Sequence, residues 1–298
     1  MNHQVRNVIL ACLGMLLLPL GLTALISGKN AIAVKKQIDM ESYLPIMMCR
    51  EIPWDYEEEM LKAQAVLNRS SLYLRLEDDG VDRQQLKEIL EIHQKESKKE
   101  SYQQAYQRME KAVKSTTGQV MSYQGNICPG VFHRVSSGAT RDGNEVLQDA
   151  GMAFLKSVDS SQDVQSEEYL HGHYFTEEAL RQRLQEAYPE VQLTEEPLTD
   201  QIIAQKLDSQ EYILELRVGN LTVGGEEFRK NLELSSSNFT VQNLDGKIRF
   251  LCKGLGHGLG LSQYGGNELA KEGKSYQQIL FTYFPDVTLK RGMHKSIV

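Results

Sequence analysis

The chain begins with a long apolar stretch. Residues 8–26 read VILACLGMLLLPLGLTALI, nineteen residues without a charged side chain. A bilayer core about 30 Å thick needs roughly 20 apolar helical residues, and a proline such as Pro19 is tolerated within such a span. Arg6 precedes the stretch, and only seven residues lie before it, so the positive-inside tendency keeps this short end in the cytoplasm. We predict a transmembrane helix within residues 1–30 and an extracytoplasmic domain over residues 31–298.

A cleaved signal peptide is the competing interpretation of the same stretch. The apolar region of such a peptide is normally about 7–15 residues long, shorter than the stretch found here. Ala31-Ile32-Ala33 could serve as the cleavage site. Both interpretations export the remainder of the chain.

Helical periodicity follows over residues 38–76. Met60, Ala63, Leu67 and Leu74 recur at helical spacing, and Asp55, with Glu58 three residues later, is typical of a helix N-cap. Lys62 and Arg69 are two helical turns apart and therefore share one face.

Residues 77–115 are rich in charge and poor in apolar side chains. Two amphipathic helices are predicted here, one around Leu86 to His93 and one around Tyr106 to Val113. We interpret the segment as a charged, solvated helical insertion beside the core.

Short alternating stretches replace the helical pattern after residue 116. Strands are predicted at residues 120–123, 132–135, 212–218 and 247–252, with a tight turn at Gln124-Gly125-Asn126 after the first of them. Helices are predicted at 176–187, with Thr176 as the N-cap, and at 261–271 and 275–284. Because helices and strands do not alternate in a βαβ rhythm, the pattern predicts a single α+β domain.

Composition narrows the classes of partner. The net charge of −7 argues against a nucleic-acid-binding protein, which needs clustered Lys and Arg, but is compatible with a polysaccharide ligand. Cys49, Cys128 and Cys252 lie beyond the apolar stretch, and an odd number cannot form a complete disulfide framework. We expect these cysteines to act as small apolar side chains.

Glu51 is the candidate acid. It stands two residues before Pro53, and the residue before a proline avoids helical geometry, so Ile52 should be extended and the helix should stop there. The neighbours Met48, Ile52 and Trp54 are apolar, which favours the neutral carboxyl and raises its pKa, as a general acid for glycoside cleavage requires. Taken without further context, an ordinary surface glutamate fits the same residues.

Three further motifs carry polar side chains. Gly254 to Gly260 form a glycine-rich loop around His257, followed by Ser262, Gln263 and Tyr264, with no phosphate-loop ending. Ser136-Ser137-Gly138 lacks the surroundings of a nucleophilic serine. His171 and His173 could share one side of a strand and bind a metal, but no third ligand is evident.

Taken together, the motifs resemble the stage II sporulation protein D family. The resemblance spans about residues 38–288 and rests on ordered blocks: Met40-Glu41-Ser42-Tyr43-Leu44-Pro45, Glu51-Ile52-Pro53, Leu61 to Val66 with Asn68-Arg69, Ala112 to Gly125, Phe132-His133 with Ser136-Ser137-Gly138, Gly225 to Arg229 with Ser236 to Phe239, and Gly254 to Gly265 continuing to Phe284. Several blocks in order are far more specific than one motif.

The resemblance implies a lytic transglycosylase that acts on peptidoglycan during engulfment in spore-forming bacteria. Such enzymes cut between N-acetylmuramic acid and N-acetylglucosamine and leave a 1,6-anhydro end. Glu51 matches the catalytic position. Substrate contacts carried over from the family motifs are Lys62, Arg69, Ser137, His257, Gln263 and Tyr264. The resemblance also implies a membrane complex with other stage II sporulation proteins, including a cell-wall amidase or endopeptidase and a membrane scaffold, and gives no reason to expect nucleic acid.

The sequence departs from the family pattern at positions that bind zinc in some relatives, or that lie close to them. Ala139 stands where the family often has a second glycine, and residues 134–150 lack the Cys and His through which some relatives hold zinc. We therefore expect no metal and no cofactor. The alternatives are a non-enzymatic enhancer or binding partner of a cell-wall amidase, and a zinc hydrolase using His171, His173 and His257. We further expect the loops around Ser137 and His257 to meet Glu51 across one groove.

Overall fold

The computed structural model describes residues 38–77, 83–292 and 296–297 of the 298-residue chain. It separates into two units. The first contains both ends of the chain, where strands Ile38–Asp39 (β1) and Ser296–Ile297 (β13) pair antiparallel. The second, over residues 41–294, contains the predicted domain and is described below.

The helices of the second unit lie mostly in its first and last thirds. They are α1 (Leu44–Glu51), α2 (Glu58–Glu77), α3 (Arg83–Glu96), α4 (Glu100–Ser115), α5 (Gly143–Leu147), α6 (Glu177–Ala187), α7 (Leu198–Gln201), α8 (Gly225–Asn231), α9 (Gln263–Lys271) and α10 (Tyr276–Tyr283).

The strands form small sheets. They are β2 (Gln119–Tyr123), β3 (Asn126–Ile127), β4 (Phe132–His133), β5 (Leu170–Phe175), β6 (Ile202–Leu207), β7 (Ile213–Val218), β8 (Leu221–Gly224), β9 (Phe239–Leu244), β10 (Lys247–Lys253), β11 (Leu261–Ser262) and β12 (Thr288–Arg291). Three antiparallel sheets have the orders β12-β2-β3, β5-β10-β9 and β6-β7-β8, and β4 pairs in parallel with β11. The α+β prediction is therefore confirmed.

Helix α2 is the central element of the helical part. Residues 63–70 are all buried, as expected of a helix surrounded by packing partners. Helices α1, α4, α9 and α10 and strand β2 all contact it. A second core lies between α6, α8 and the two sheets that contain β7 and β10, with Phe228 and Phe250 fully buried at its centre.

Several predicted elements are confirmed. The helix predicted at 176–187 is α6, which begins after Thr176, whose side chain accepts a hydrogen bond from the Ala179 amide. The tight turn after β2 has Gln124 and Gly125 at φ 51° and 84°, as expected between paired strands. Cys128 and Cys252 are buried, and Cys49 is partly buried.

Other expectations need correction. Asp55 is not the N-cap of α2, because the helix begins at Glu58 and its first backbone bond runs from the Leu61 amide to the Glu57 carbonyl. Only α3 fits the description of a solvated insertion: α4 packs against α1 and α2 and buries Ala105, Met109, Ala112 and Val113.

The predicted transmembrane helix over residues 8–26 lies outside the described residues. Within the part of the chain that the structure describes, no helix is both long enough and apolar enough to cross a bilayer.

Candidate active site

Glu51 is the last residue of α1. Ile52 leaves the helix with φ −136° and ψ 145°, the extended geometry expected of a residue before a proline. The sequence predicted Glu51 in the loop between two helices. In the structure it is instead the last residue of the first of these helices, α1. The residue as a whole is exposed, so Glu51 lies at the surface of the unit.

A chain of buried amides holds this carboxyl. The Asn68 amide nitrogen donates to Glu51 Oε2 at 2.6 Å, and the Gln64 amide nitrogen donates to the Asn68 oxygen at 2.8 Å. Gln263 closes the chain, because its amide nitrogen donates to both the Gln64 oxygen at 3.1 Å and the Glu51 backbone carbonyl at 2.8 Å. Gln64, Asn68 and Gln263 are at most 2% exposed.

The amide chain leaves one carboxyl oxygen available. Glu51 Oε1 accepts no hydrogen bond from any residue that the structure describes. A buried amide whose oxygen and nitrogen are both engaged can present its donor in one direction only. The network therefore fixes the direction of the carboxyl while leaving Oε1 for a substrate atom.

The pKa of Glu51 is raised above the usual value for a glutamate. Burial of the carboxyl end is the largest cause, and the hydrogen bond from Asn68 and the charges of Arg75 and Arg50 oppose it. Because the residue also reaches solvent, screening limits these charge effects. The direction is the one that a general acid needs.

Sequence reasoning missed the supporting amides. Asn68 was present only as part of a family block, and Gln64 had no assigned role. The available signal was a pair of amides four residues apart, and therefore on one helix face, among the apolar residues Ala63, Ala65, Val66 and Leu67. Gln263 was predicted as a substrate contact, but its buried amide is engaged by Gln64 and by the Glu51 carbonyl, so we assign it a positioning role.

Arg69 is fully buried. Its guanidinium forms a two-point ion pair with Glu41 and donates further to Thr116 Oγ1 and to the Val113 and Gln119 carbonyls. These contacts use all five donors of the guanidinium. Arg69 therefore joins α2 to the end of α4 and the start of β2, and we replace its predicted substrate contact with a structural role.

Lys62 lies on a different side of α2 from Gln64 and Asn68. It pairs with Glu59 at 2.7 Å and Glu58 at 3.0 Å, and Glu59 also accepts from the Tyr276 amide at the start of α10. At 100° per residue, Lys62 is about 160° from Gln64 around the helix. The face shared by Lys62 and Arg69 is thus not the face that holds the Glu51 carboxyl.

The two loops predicted to converge do contact each other. Val135 and Leu255 form a β-bridge, the Arg141 amide donates to the Gly258 carbonyl at 2.8 Å, and His133 Nδ1 lies 3.0 Å from the Leu259 carbonyl. Helix α9 begins directly after the second loop, and through Gln263 it reaches the Glu51 carbonyl.

The predicted contacts on these loops are partly buried. The Ser137 amide donates to the Tyr212 hydroxyl at 3.2 Å, and His257 Nδ1 accepts from the Leu259 amide at 3.1 Å. Burial lowers the pKa of His257, so its imidazole is neutral. The Tyr264 amide donates to the Arg134 carbonyl. That Ser137, His257 and Tyr264 face Glu51 across one groove stays a prediction.

The histidines considered as metal ligands have other partners. His171 Nε2 contacts the Glu168 carbonyl at 2.9 Å, and His173 Nε2 accepts from the Ser235 amide at 3.1 Å. Over residues 38–77, 83–292 and 296–297, no group of three or more His, Cys, Asp or Glu side chains is arranged to hold a metal.

Comparisons with known proteins relate this chain to stage II sporulation proteins. Residues 28–123, which include α1, Glu51, Gln64 and Asn68, match the family described as Stage II sporulation protein. Stage II sporulation protein D of Bacillus amyloliquefaciens is 28% identical over 268 residues, covering 86% of this chain and 76% of the relative. The protein of the same name from Bacillus subtilis is 28% identical over 84% of this chain and 74% of its own length.

The chain is thus similar to stage II sporulation protein D over most of its length. Both similarities extend well beyond residue 123, since each covers more than four fifths of the chain. A shorter similarity, 44% identity over 54 residues, links 18% of the chain to the amidase enhancer of Bacillus subtilis, of which it covers 8%.

Proposed function

We propose that this protein is a lytic transglycosylase that cleaves peptidoglycan strands between N-acetylmuramic acid and N-acetylglucosamine, with Glu51 as its catalytic acid. The observation that carries the proposal is the Glu51 carboxyl itself. One oxygen is held by Asn68, the other accepts no bond from a described residue, and the pKa is raised by burial. The resemblance to stage II sporulation protein D supplies the substrate class and the setting, engulfment during sporulation.

A single carboxyl is sufficient for this reaction. Protonated Glu51 donates its proton to the glycosidic oxygen, and the bond between that oxygen and the anomeric carbon breaks to give an oxocarbenium-like centre. The 6-hydroxyl of the same sugar then attacks the anomeric carbon and returns its proton to Glu51. The products are a 1,6-anhydro end and a free hydroxyl, so no water is consumed and the acid is regenerated.

The remaining residues take two kinds of role in this proposal. Asn68, Gln64 and Gln263 position the acid. Ser137, His257 and Tyr264 contact sugar hydroxyl and acetamido groups, because holding several sugar units supplies much of the rate. We place the domain outside the cytoplasmic membrane, anchored by residues 8–26 and assembled with other stage II sporulation proteins.

The first test is Glu51→Gln. We expect loss of cleavage by about 10²–10⁴-fold, because the amide cannot donate the catalytic proton. Purified glycan is incubated with the protein, and anhydro-ended fragments are quantified. Glu57→Gln, an exposed glutamate six residues away, is the matched control and should keep the parent rate. Retention of most activity by a folded Glu51→Gln protein would remove Glu51 from the mechanism.

The short similarity to the amidase enhancer supports a second candidate, a non-enzymatic partner that stimulates a cell-wall amidase. The two functions differ in their products. An enhancer yields no anhydro ends by itself and increases peptide release when an amidase is added. Product analysis with and without an added amidase therefore separates them.

A further inference from the structure

One face of the sheet β5-β10-β9 is packed and the other is open. The packed face carries His171, His173 and Phe175 on β5 opposite Ile248, Phe250 and Cys252 on β10, and joins the second core. The open face carries ten residues: Leu170, Gly172, Tyr174, Thr240, Gln242, Leu244, Lys247, Arg249, Leu251 and Lys253. None of them is part of the hydrogen-bonded group formed by Glu51, Gln64, Asn68 and Gln263.

The charge of this open face opposes that of the whole chain. The chain has 40 acidic and 33 basic residues, yet the open face has three cations, Lys247, Arg249 and Lys253, and no acid. Lys253 reaches Glu211, outside the sheet, at 3.4 Å. Among the residues that the structure describes, no carboxylate forms an ion pair with Lys247 or Arg249.

An exposed aromatic ring lies on the same face as these cations. Tyr174 is 54% exposed, and a Cβ on Gly172 would come within 2.9 Å of its ring carbon Cε2. The ring therefore lies over the backbone of Gly172 and presents its outer side to solvent. In register, Tyr174 is opposite Arg249 and Gly172 is opposite Leu251.

The arrangement matches an extended, anionic sugar polymer. An exposed tyrosine ring can pack against the apolar side of a sugar ring. On β9, across β10 from that ring, the Thr240 hydroxyl and the Gln242 amide nitrogen offer hydrogen bonds to hydroxyl and acetamido groups, while Gln242 Oε1 accepts from Arg249. Lys247, Arg249 and Lys253 lie along one strand over about 20 Å, at about 3.4 Å per residue. Cations spaced in this way suit carboxylates distributed along a chain better than one compact anion.

We propose that the open face of the sheet β5-β10-β9 is a second, non-catalytic binding surface for peptidoglycan, with a sugar ring on Tyr174 and stem-peptide carboxylates on Lys247, Arg249 and Lys253. The choice of peptidoglycan rests on the proposed function, whereas the anionic and sugar-like chemistry rests on the sheet. A second surface keeps a long polymer attached between cleavage events, because its effective concentration at the Glu51 site rises.

The test measures binding of the full-length chain to purified sacculi by co-sedimentation, in non-ionic detergent. All proteins carry Glu51→Gln, so that binding does not depend on cleavage. We expect Tyr174→Ala, and separately the triple variant Lys247→Gln, Arg249→Gln, Lys253→Gln, to weaken binding by roughly fivefold or more. Added salt should weaken the parent and leave the triple variant nearly unaffected.

A matched control lies on the sheet β6-β7-β8. Ile203→Ala with Lys206→Gln removes an exposed apolar side chain (42% exposed) and an exposed lysine from β6, and this variant should bind as the parent does. Thermal unfolding checks that every variant is folded. Gly172→Val keeps the Tyr174 ring but lifts it from the sheet, and should weaken binding as Tyr174→Ala does.

Binding to two further ligands, glycan without stem peptides and anionic lipid vesicles, identifies the source of the anions. On glycan stripped of stem peptides, Tyr174→Ala should still weaken binding, and the triple variant should equal the parent. Parent-level binding of sacculi by both variants would overturn the proposal. So would an effect of the cations on anionic lipid vesicles but not on sacculi. If the Glu51→Gln background still releases anhydro ends, the proposed function fails while the binding result stands.

Discussion

At the scale of single residues, opposing effects set the state of the Glu51 carboxyl. Burial against α2 favours the neutral acid, and the Asn68 amide favours the carboxylate because it donates to Oε2. Burial is the larger effect, so the pKa is raised. The same amide that orients the acid therefore also limits how far its pKa rises.

Asn68→Ala tests this balance. The general acid must be protonated before it reacts, so activity falls as the pH rises through its pKa. Removing the Asn68 donor removes an effect that lowers the pKa, so the alkaline limb of the pH–rate profile should move to higher pH. The hydrogen bond from Asn68 favours the charged form of the carboxyl, so its loss should move the limb in this direction only.

The profile of kcat/KM against pH is the measurement. Lys114→Gln, which removes an exposed lysine on α4 paired with Glu110, is the control and should leave the limb in place. A limb that stays fixed or moves to lower pH in Asn68→Ala would mean that Glu51 is not the group observed.

At the scale of elements, helix α9 links the glycine-rich loop to the acid. Ser262 caps it by accepting from the Gly265 amide, and Gln263 in its first turn reaches the Glu51 carbonyl. Gly265 lies against α10 and the loop at residues 159–163. A Cβ there would stand 2.2 Å from the Tyr283 hydroxyl and 2.4 Å from Ser160 Oγ, so this position requires glycine for space.

Gly265→Ala should therefore destabilise the protein by about 1–3 kcal/mol, the usual cost of overpacking. The check is the free energy of unfolding, measured by denaturant titration, of Gly265→Ala, of Tyr283→Phe and of the double variant that combines them. Tyr283→Phe removes the nearest clashing atom, together with its 2.8 Å hydrogen bond to Ser160. The double variant should consequently lose less stability than the sum of the two single changes. Strict additivity would show that the Tyr283 hydroxyl is not what the new methyl group meets.

At the scale of the whole unit, α2 connects the parts that carry the site. One side holds Glu51 through Asn68, and another holds Arg69 with Glu41, the end of α4 and the start of β2. Lys62 lies near the junction with α10. Two cations that sequence spacing placed together thus have different surroundings, one fully buried and one near solvent.

Arg69→Ala and Lys62→Ala should differ in stability. Removing Arg69 breaks its buried ion pair with Glu41, to which the Tyr73 hydroxyl still donates, and should cost about 3–5 kcal/mol. Lys62 forms partly exposed pairs, and its loss should cost about 1 kcal/mol or less. The free energies of unfolding from urea titration decide the matter. Equal, small losses for both would mean that Arg69 does not join α2 to its neighbours.

Local sequence determined much of the secondary structure. Thr176 predicted the start of α6, Pro53 predicted the extended Ile52 and the end of α1, and the residues around Gln124 predicted the turn after β2. Each depends on backbone sterics or on bonds within a few residues, so it can be inferred from local sequence. The apolar stretch at residues 8–26 is an equally local signal.

Tertiary structure decided which helix faces meet. Periodicity relates residues to one another around a helix axis, but the partner of each face depends on segments far apart in the chain. Gln263 is 212 positions from Glu51, and no local pattern links them. The same reason explains why Arg69 was predicted as a substrate contact and α4 as a solvated helix: their burial comes from long-range packing. Local sequence was enough to predict the candidate acid and many of the elements around it, whereas the buried amides that hold it follow from long-range packing.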